Sequence, residues 1–310
     1  MNDLRPFDPE ADYRWMTEWW NAENSDERRA EDEFHREDSL RDPKYTFERW
    51  TFPSRWIGSF GHNSWAHRDD RYVVDIFMTQ DADLAEYKSA VEWGIGKTIA
   101  ADGKELMMWA RSDRPRSGVF EDLGFTVVES VPVTRLELAD FDGASISTRR
   151  AELEAEGIRF CTVADLEAEG TEWMPPLYES SWEIVQDIPS AYAPTQMPYE
   201  KFVQRFSAST EHDPELMWLA MEGDRIVGYS RLYPSKVDPE FWRTGMSGVV
   251  RSHRRRGIVT VLKVIGASTA KARGARRIQT ENNDINPMLN VNLRMGYRES
   301  YRALMMEKKL

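Results

Sequence analysis

The chain is poor in the residues that redox and metal chemistry rely on. Of its 310 residues only Cys161 is a cysteine, which excludes disulfide frameworks and Cys-rich zinc sites. The five histidines are scattered, with no ligand pairing such as H-E-x-x-H, so no metal is expected. No run approaches the roughly 18 apolar residues of a membrane span, which argues against a transmembrane protein. The opening residues, MNDLRPFDPEADYRW, lack a basic start followed by an apolar stretch. That predicts no secretory signal and a cytoplasmic, soluble protein without a membrane partner.

What the chain does contain is a globular composition: 41% hydrophobic, 12% aromatic and 30% charged, neither disordered nor fibrous. Its length suits two domains. The formal net charge of −12 is unevenly shared. Residues 1–147 carry 18 Lys and Arg against 31 Asp and Glu, whereas residues 148–310 carry 23 against 22. An acidic half repels a phosphate backbone, so no nucleic-acid partner is expected. The near-neutral half holds one dense basic patch, His253-Arg254-Arg255-Arg256, which suits a local anion site.

Periodicity orders the second half. Residues 216–222 and 225–233 are apolar runs around Gly223-Asp224, a β-hairpin. A strand follows near 242–250. Val261, Leu262, Val264, Ile265, Ser268, Thr269 and Ala272 then fall at helical spacing, and Gly274 ends the helix. A strand from Arg276 to Thr280, a short helix from Pro287 to Met295, Gly296-Tyr297 and a last strand through Met306 complete it.

The first half repeats that order. Residues 72–78 form a strand, 84–100 a helix with Leu84, Tyr87, Val91, Ile95 and Ile99 inward, 105–110 a strand, and 116–122 a short helix. Gly124-Phe125 and a long strand to Leu138 follow. Gly124-Phe125 and Gly296-Tyr297 stand at matching places, which implies duplication of a whole domain. The expected class is mixed α/β, two domains in tandem, each a central mixed sheet flanked by helices. The join is expected within the polar stretch 141–157, giving domains 1–147 and 148–310.

The stretch with chemical content runs from Ser247 to Lys263: a strand, a basic loop with Gly257, then a helix start. A helix N-terminus exposes unpaired N–H groups and the positive end of its dipole, and a glycine ahead of it lets a phosphate approach. Neither the Walker pattern nor G-x-G-x-x-G is present. Farther on come Glu281-Asn282-Asn283-Asp284-Ile285-Asn286 and then Met288, Leu289, Asn292, Gly296 and Tyr297. Here the chain resembles the GNAT acetyltransferase superfamily. Arg254-Arg255-Arg256-Gly257-Ile258-Val259 is similar to its acetyl-CoA signature [Q/R]-x-x-G-x-[G/A], and Asn286 through Tyr297 to its later Asn–helix–Gly-aromatic segment. The fit covers about 155–310 and is closest to the tandem type, in which two GNAT folds share one chain, the architecture of mycothiol synthase.

The resemblance implies an N-acetyltransferase. Acetyl-CoA, as co-substrate, lies between two parallel strands that splay apart, ending near Val250 and Glu281. Backbone N–H groups from Arg255 through Gly257, Ile258, Val259 and Thr260 hold the pyrophosphate, with Arg254, Arg255 and Arg256 at the rim. Backbone groups of Val249 and Val250 meet the pantetheine arm and polarise the thioester carbonyl. Asn286 and Asn292 bond the far side of the arm. The acceptor is a primary amine of a small molecule or peptide, deprotonated by Glu281, with Asp284 and Glu240 as alternatives. Two positions depart from the pattern: Val259 stands where the family has Gly or Ala, and Asn292 where many relatives have a tyrosine acid. The protein is expected to act as a monomer or homodimer.

Other readings compete. Asn292 and Val259 also suit a catalytically silent acyl-CoA-binding module. Asn286 and Asn292 also read as caps or surface residues, Glu281 as a solvent-facing carboxylate, His253 as a loop residue and Cys161 as core. Trp15, Trp19 and Trp20 read as a packed helix face. Trp173, Tyr178, Trp182 and Tyr192 either line the acceptor site or pack in the core. In the first half the equivalent loop, Met78 to Glu86, has no arginine or glycine and three acids, so that half is expected to lack the cofactor site. Its acidity points to a cationic acceptor.

Overall fold

The computed structural model describes residues 3–114, 116, 118–207 and 213–310. It divides into two compact units, neither continuous in sequence. The first gathers Met1–Pro132, Ser190–Thr195 and Tyr301–Leu310; the second gathers Val133–Pro189 and Gln196–Ser300. Among the described residues no helix is long and apolar enough to cross a membrane.

The first unit contains β1 (Arg5–Pro6), α1 (Pro9–Glu23), α2 (Glu31–Ser39), β2 (Phe47–Phe52), β3 (Trp56–His62), β4 (Arg71–Met78), α3 (Leu84–Ala100), β5 (Glu105–Arg111) and α4 (Gly118–Asp122). Ser117, within the expected short helix, lies outside the described residues. Strands β1 to β4 pair antiparallel in sequence order, and β4 then pairs with β5 in parallel. The core under this sheet is built from Trp56, Phe60, Val74, Val91, Leu106 and Phe120. Helix α3 buries Tyr87, Ala90, Val91, Gly94 and Thr98. Leu84 and Ile99, expected inward, are exposed. Ile99 follows Thr98 by one residue, about 100° around the helix from the buried face, and Leu84 is the first helical residue.

Strand β6 (Thr126–Glu137) begins in the first unit and ends in the second. The second unit continues with α5 (Ser147–Ala155), β7 (Ile158–Thr162), α6 (Val163–Ala168), α7 (Met174–Val185), α8 (Tyr199–Ser207), β8 (Met217–Glu222), β9 (Arg225–Pro234), β10 (Phe241–Val249), α9 (Ile258–Ala272), β11 (Arg277–Glu281) and α10 (Pro287–Arg294). The polar stretch read as a join thus contains α5, held by the buried Leu153. The final strand, β12 (Arg298–Lys309), returns to the first unit, where Ala303 to Lys309 pair antiparallel with Arg111 to Glu105 of β5.

The second unit's strands run β6-β11-β10-β9-β8-β7, antiparallel except for β10 with β11. The β8–β9 hairpin turns at Gly223, whose φ of 58° lies in the left-handed region of a tight turn. Helix α9 packs Ile258, Val261, Leu262 and Ala267 against Leu232, Trp242 and Ile278. Each buried aliphatic side chain of this kind contributes roughly 1.5–3 kcal/mol. Cys161 lies buried in this core.

Candidate active site

The site begins where two parallel strands part. Strands β10 and β11 pair at Phe241↔Arg277, Trp242↔Ile278 and Arg243↔Gln279, and there the register stops. Beyond it β10 shifts register against β9 between Thr244 and Ser247 and runs on to Val249, while β11 ends at Glu281. The two strands form the arms of a V whose apex is the Arg243–Gln279 pair.

At the end of the β10 arm, the Val250 N–H donates to the Val227 carbonyl at 2.9 Å. Strand amides alternate in direction, so Val249 turns its own amide away from β9 and toward the open side. The chain makes a short 3-10 turn at Arg251–His253, and Gly257 then caps α9 with φ 84°. Arg255 also has a positive φ, 61°. Among the described residues no side chain caps α9, and the first amide returned to the backbone is that of Val261, to the Gly257 carbonyl at 3.1 Å. The amides of Ile258, Val259 and Thr260 are therefore the helix's unpaired donors, at the positive end of its dipole.

The three loop arginines have different fates. Arg254 donates from Nε to the Val249 carbonyl at 3.0 Å and pairs with Asp187 at 2.7 Å. Arg256 pairs with Glu156 at 2.7 Å. Arg255 is exposed and has no ion-pair partner among the described residues. Asp187 also holds Arg251, and these guanidinium groups, Arg251 first, draw its carboxyl down to about 2. His253 is buried between Ser252 and Glu222.

On the β11 side, Asn286 caps α10, its Oδ1 accepting from the Met288 N–H at 2.9 Å. Asn292 is fully buried and donates from Nδ2 to Asn282 Oδ1 at 2.6 Å, while its own Oδ1 has no partner among the described residues. Glu281 is exposed at the strand end, opposite Val133 of β6. Beneath, Lys263 of α9 is buried, its Nζ 5.7 Å from the Tyr297 ring, and burial lowers its pKa from 10.5 to about 8.

These features meet the comparisons with known proteins at one point. Residues 177–292 match the acetyltransferase (GNAT) family, a span that contains the uncapped α9 start, both arms of the V and Asn292. That span of the second unit carries the GNAT acetyltransferase match, and the chain as a whole has the fold of tandem GNAT proteins. Similar solved structures include a GCN5-related N-acetyltransferase from Sphaerobacter thermophilus, 18% identical with TM-score 0.64, covering 99% of this chain and 95% of that one. Another is a tandem GNAT protein from the clavulanic acid biosynthesis pathway, 14% identical with TM-score 0.69, covering 99% and 98%. At such identities they speak for the fold. No curated protein matches the chain.

The GNAT plan is visible in the first unit too. Strands β4 and β5 pair in parallel at Arg71↔Glu105, Tyr72↔Leu106 and Val73↔Met107 and then stop, as β10 and β11 do. The helix start differs. Asp83 caps α3 by accepting from the Glu86 N–H at 2.8 Å, and the Glu86 carboxylate accepts from the Asp83 N–H at 3.1 Å. Glu86 and Asp81 also engage Arg55. The donors that Gly257 leaves open in the second unit are closed here by carboxylates.

Of the aromatic residues read as acceptor lining or core, Trp173 is core. Tyr178 donates to the Met197 carbonyl at 2.7 Å. Tyr192 belongs to the first unit, where its ring lies 3.6 Å from the Arg71 guanidinium and its hydroxyl bonds Glu307. Within that unit the Thr195 N–H donates to the Trp65 carbonyl at 2.7 Å. Asn282, Asp187 and Lys263 were not singled out from sequence. A buried lysine on an apolar helix face is the one signal that was readable there.

Proposed function

We propose that the second unit transfers an acetyl group from acetyl-CoA to a primary amine of a small molecule or peptide by direct attack. One observation carries this reading: a helix start left uncapped at Gly257 stands at the end of one arm of a V between parallel strands. The open amides of Ile258, Val259 and Thr260, with those of Arg255, Arg256 and Gly257, suit the pyrophosphate. Arg255 adds an unpaired charge, and Arg254 and Arg256 shape the rim through their carboxylate partners.

The Val249 amide is the donor for the thioester carbonyl and for the oxyanion that forms when nitrogen attacks it. Val250, with its amide engaged by Val227, contributes to the wall. Asn286 meets the pantetheine arm through its Nδ2, and Asn292 acts through Asn282, which it holds. Glu281 takes the proton of the incoming amine. Carbon–sulfur cleavage then releases the CoA thiolate. Asn292 is an amide and cannot titrate, so water protonates the leaving group.

No metal enters the reading. The first unit, with its capped α3, serves as a degenerate GNAT fold without acetyl-CoA. The domains correspond to 1–147 and 148–310 in the ancestral order, with terminal strands now shared out as described. Acetyl-CoA is an intracellular metabolite, so the reading carries a cytoplasmic location, with the protein acting as a monomer or homodimer.

Titration calorimetry at low ionic strength with acetyl-CoA is the test, followed by release of free CoA over a panel of primary amines. Binding at one site per chain with CoA release is the expected outcome. Absence of heat ends the reading. Binding without CoA release from any amine would leave the silent acyl-CoA-binding module, which the buried Asn292 favours.

A further inference from the structure

Lys263 is the buried cation that the reading above leaves unused. It stands in the middle of α9 and is only 5% exposed, between Leu262 and Val264 of the core. Lysine is almost never buried without a partner, because a bare ammonium is costly away from water. Among the described residues no hydrogen bond or ion pair holds Lys263, and the Tyr297 ring lies 5.7 Å from its Nζ. Burial alone lowers its pKa, with no carboxylate or second cation acting on it. An apolar side chain of the same volume would pack there at no such cost, and groups that cost stability concentrate at functional sites.

Its place in the unit is specific. Lys263 follows Val259 by four residues and Thr260 by three, so it shares a helix face with residues whose amides are open at the start of α9. Helical side chains lean back toward the N-terminus, which carries the ammonium toward that start. Tyr297 bounds the other side. Its hydroxyl lies beside Thr244, the β10 residue after the apex pair, and its N–H donates to the Asn292 carbonyl at 3.1 Å. Asn292 is fully buried, with Oδ1 unpartnered among the described residues. A buried donor and a buried acceptor, each unsatisfied, thus adjoin Tyr297 where the open arm of β10 begins. Such groups are completed by a water or by a ligand's polar group.

We infer that the Lys263 ammonium stabilises the departing CoA thiolate and supplies, through the water beside it, the proton that neutralises the sulfur. This rests on the acetyltransferase reading above. Attack forms the carbon–nitrogen bond, and Glu281 takes the amine's proton. The carbon–sulfur bond then breaks, and its electron pair leaves on sulfur. Lys263 gives up one proton by way of water, so that CoA leaves as the thiol. Glu281 returns its proton to solvent, and Lys263 regains one from there. A pKa of about 8 suits an acid that works near neutrality. Tyr297, the titratable group facing Lys263, is pushed up by burial and stays a neutral phenol throughout.

The test reads the sulfur directly. CoA and desulfo-CoA, which lacks the thiol, are titrated into the protein at pH 7.5 in two buffers of different ionisation enthalpy, so that calorimetry counts the protons released. A free thiol ionises near 8.5, and a neighbouring ammonium draws it lower. CoA is therefore expected to release about half a proton more than desulfo-CoA. Lys263→Met should erase that difference and lower kcat about tenfold or more, with acetyl-CoA affinity unchanged. The comparison of the two ligands needs no variant, so it decides the matter even if the substitution disturbs folding. Equal proton counts for CoA and desulfo-CoA overturn the inference, as does a difference that survives Lys263→Met. Acetyl-CoA binding then still stands on its own, whereas failure of acetyl-CoA and both CoA ligands to bind the unaltered protein would remove the underlying reading instead.

Discussion

Arg254 pairs with Asp187 at 2.7 Å while its Nε holds the Val249 carbonyl, so its guanidinium ties the end of β10 to the segment after α7. Its charge is largely countered before any anion arrives. Arg255, one residue on, has no such partner among the described residues.

The difference gives a prediction within one tripeptide. Arg255→Ala should weaken acetyl-CoA binding about fivefold and flatten its salt dependence, without changing stability, as expected for loss of one rim charge near an anion. Arg254→Ala should weaken binding and also lower stability by about 0.5–1 kcal/mol, the range of a half-exposed ion pair. Calorimetry at two ionic strengths and denaturant titration check both. Equal effects from the two substitutions would show that their pairing does not matter.

Gly257 holds φ 84° at the N-cap of α9. A Cβ there would stand 3.4 Å from the Arg149 side chain, an ordinary contact, so Gly257→Ala suffers backbone strain and no clash. The expected loss of stability is about 1–2 kcal/mol. Acetyl-CoA affinity should also fall, about tenfold, because the methyl occupies the approach to the open amides. An unchanged affinity in the folded variant would place the pyrophosphate elsewhere.

Much of this fold can be read from local sequence. Gly223-Asp224 sets the β8–β9 hairpin, Gly274 ends α9, and Leu262 or Ala267 marks its buried face, because turns and helical periods are short-range signals. The destination of the strand ends is not local. Residues Tyr301–Leu310 look like one more terminal strand, yet they pair with β5, since hydrogen-bond partners across a sheet leave no trace in the strand itself. The neighbours of Gln279 were hidden for the same reason: Arg135 and Arg243 are far apart in sequence, and only the register sets both beside it. Asn286 and Asn292 stood out by motif, but whether an asparagine caps a helix or is buried beside Asn282 depends on tertiary packing. The α9 loop was legible because its chemistry is backbone chemistry, set by one glycine.

The first unit should bind no acetyl-CoA. Asp83 and Glu86 accept from each other's amides at the start of α3, which gives α3 the reverse of the electrostatics at α9. Calorimetry should therefore give one site per chain, and Gly257→Ala should weaken that single site. A second site that survives the substitution would count against a degenerate first unit.

Lys263 gives a pH dependence of defined sign. Its folded pKa, about 8, lies below the ordinary 10.5, so the folded state binds its proton less tightly than the unfolded one. Stability is held down below pH 8 and recovers as pH rises from about 8 toward 10.5, by about 3 kcal/mol at most. Lys263→Met keeps the volume and removes the charge, so it should raise stability at pH 7 and abolish that rise. Denaturant midpoints of both proteins at pH 7 and pH 10 decide it. A parallel pair of profiles would mean that the ammonium is stabilised where it lies, for instance by the Tyr297 ring.

Glu281 is the remaining question of chemistry. It ends β11 on the same face as Gln279 and Arg277, at the open side of the V. An amine attacks only as the free base, so a carboxylate there acts by accepting its proton, directly or through one water. Glu281→Gln keeps shape and hydrogen bonding but removes the basic oxygen. The expected result is a fall in kcat of about 100-fold, typical of a lost general base, with acetyl-CoA affinity intact. Activity should then regain ground at high pH, where a larger fraction of the amine is already neutral. The pH profile of kcat separates this from a structural effect, which would lower the rate by the same factor at every pH. An unchanged kcat throughout would move the proton transfer to Asp284, Glu240 or solvent.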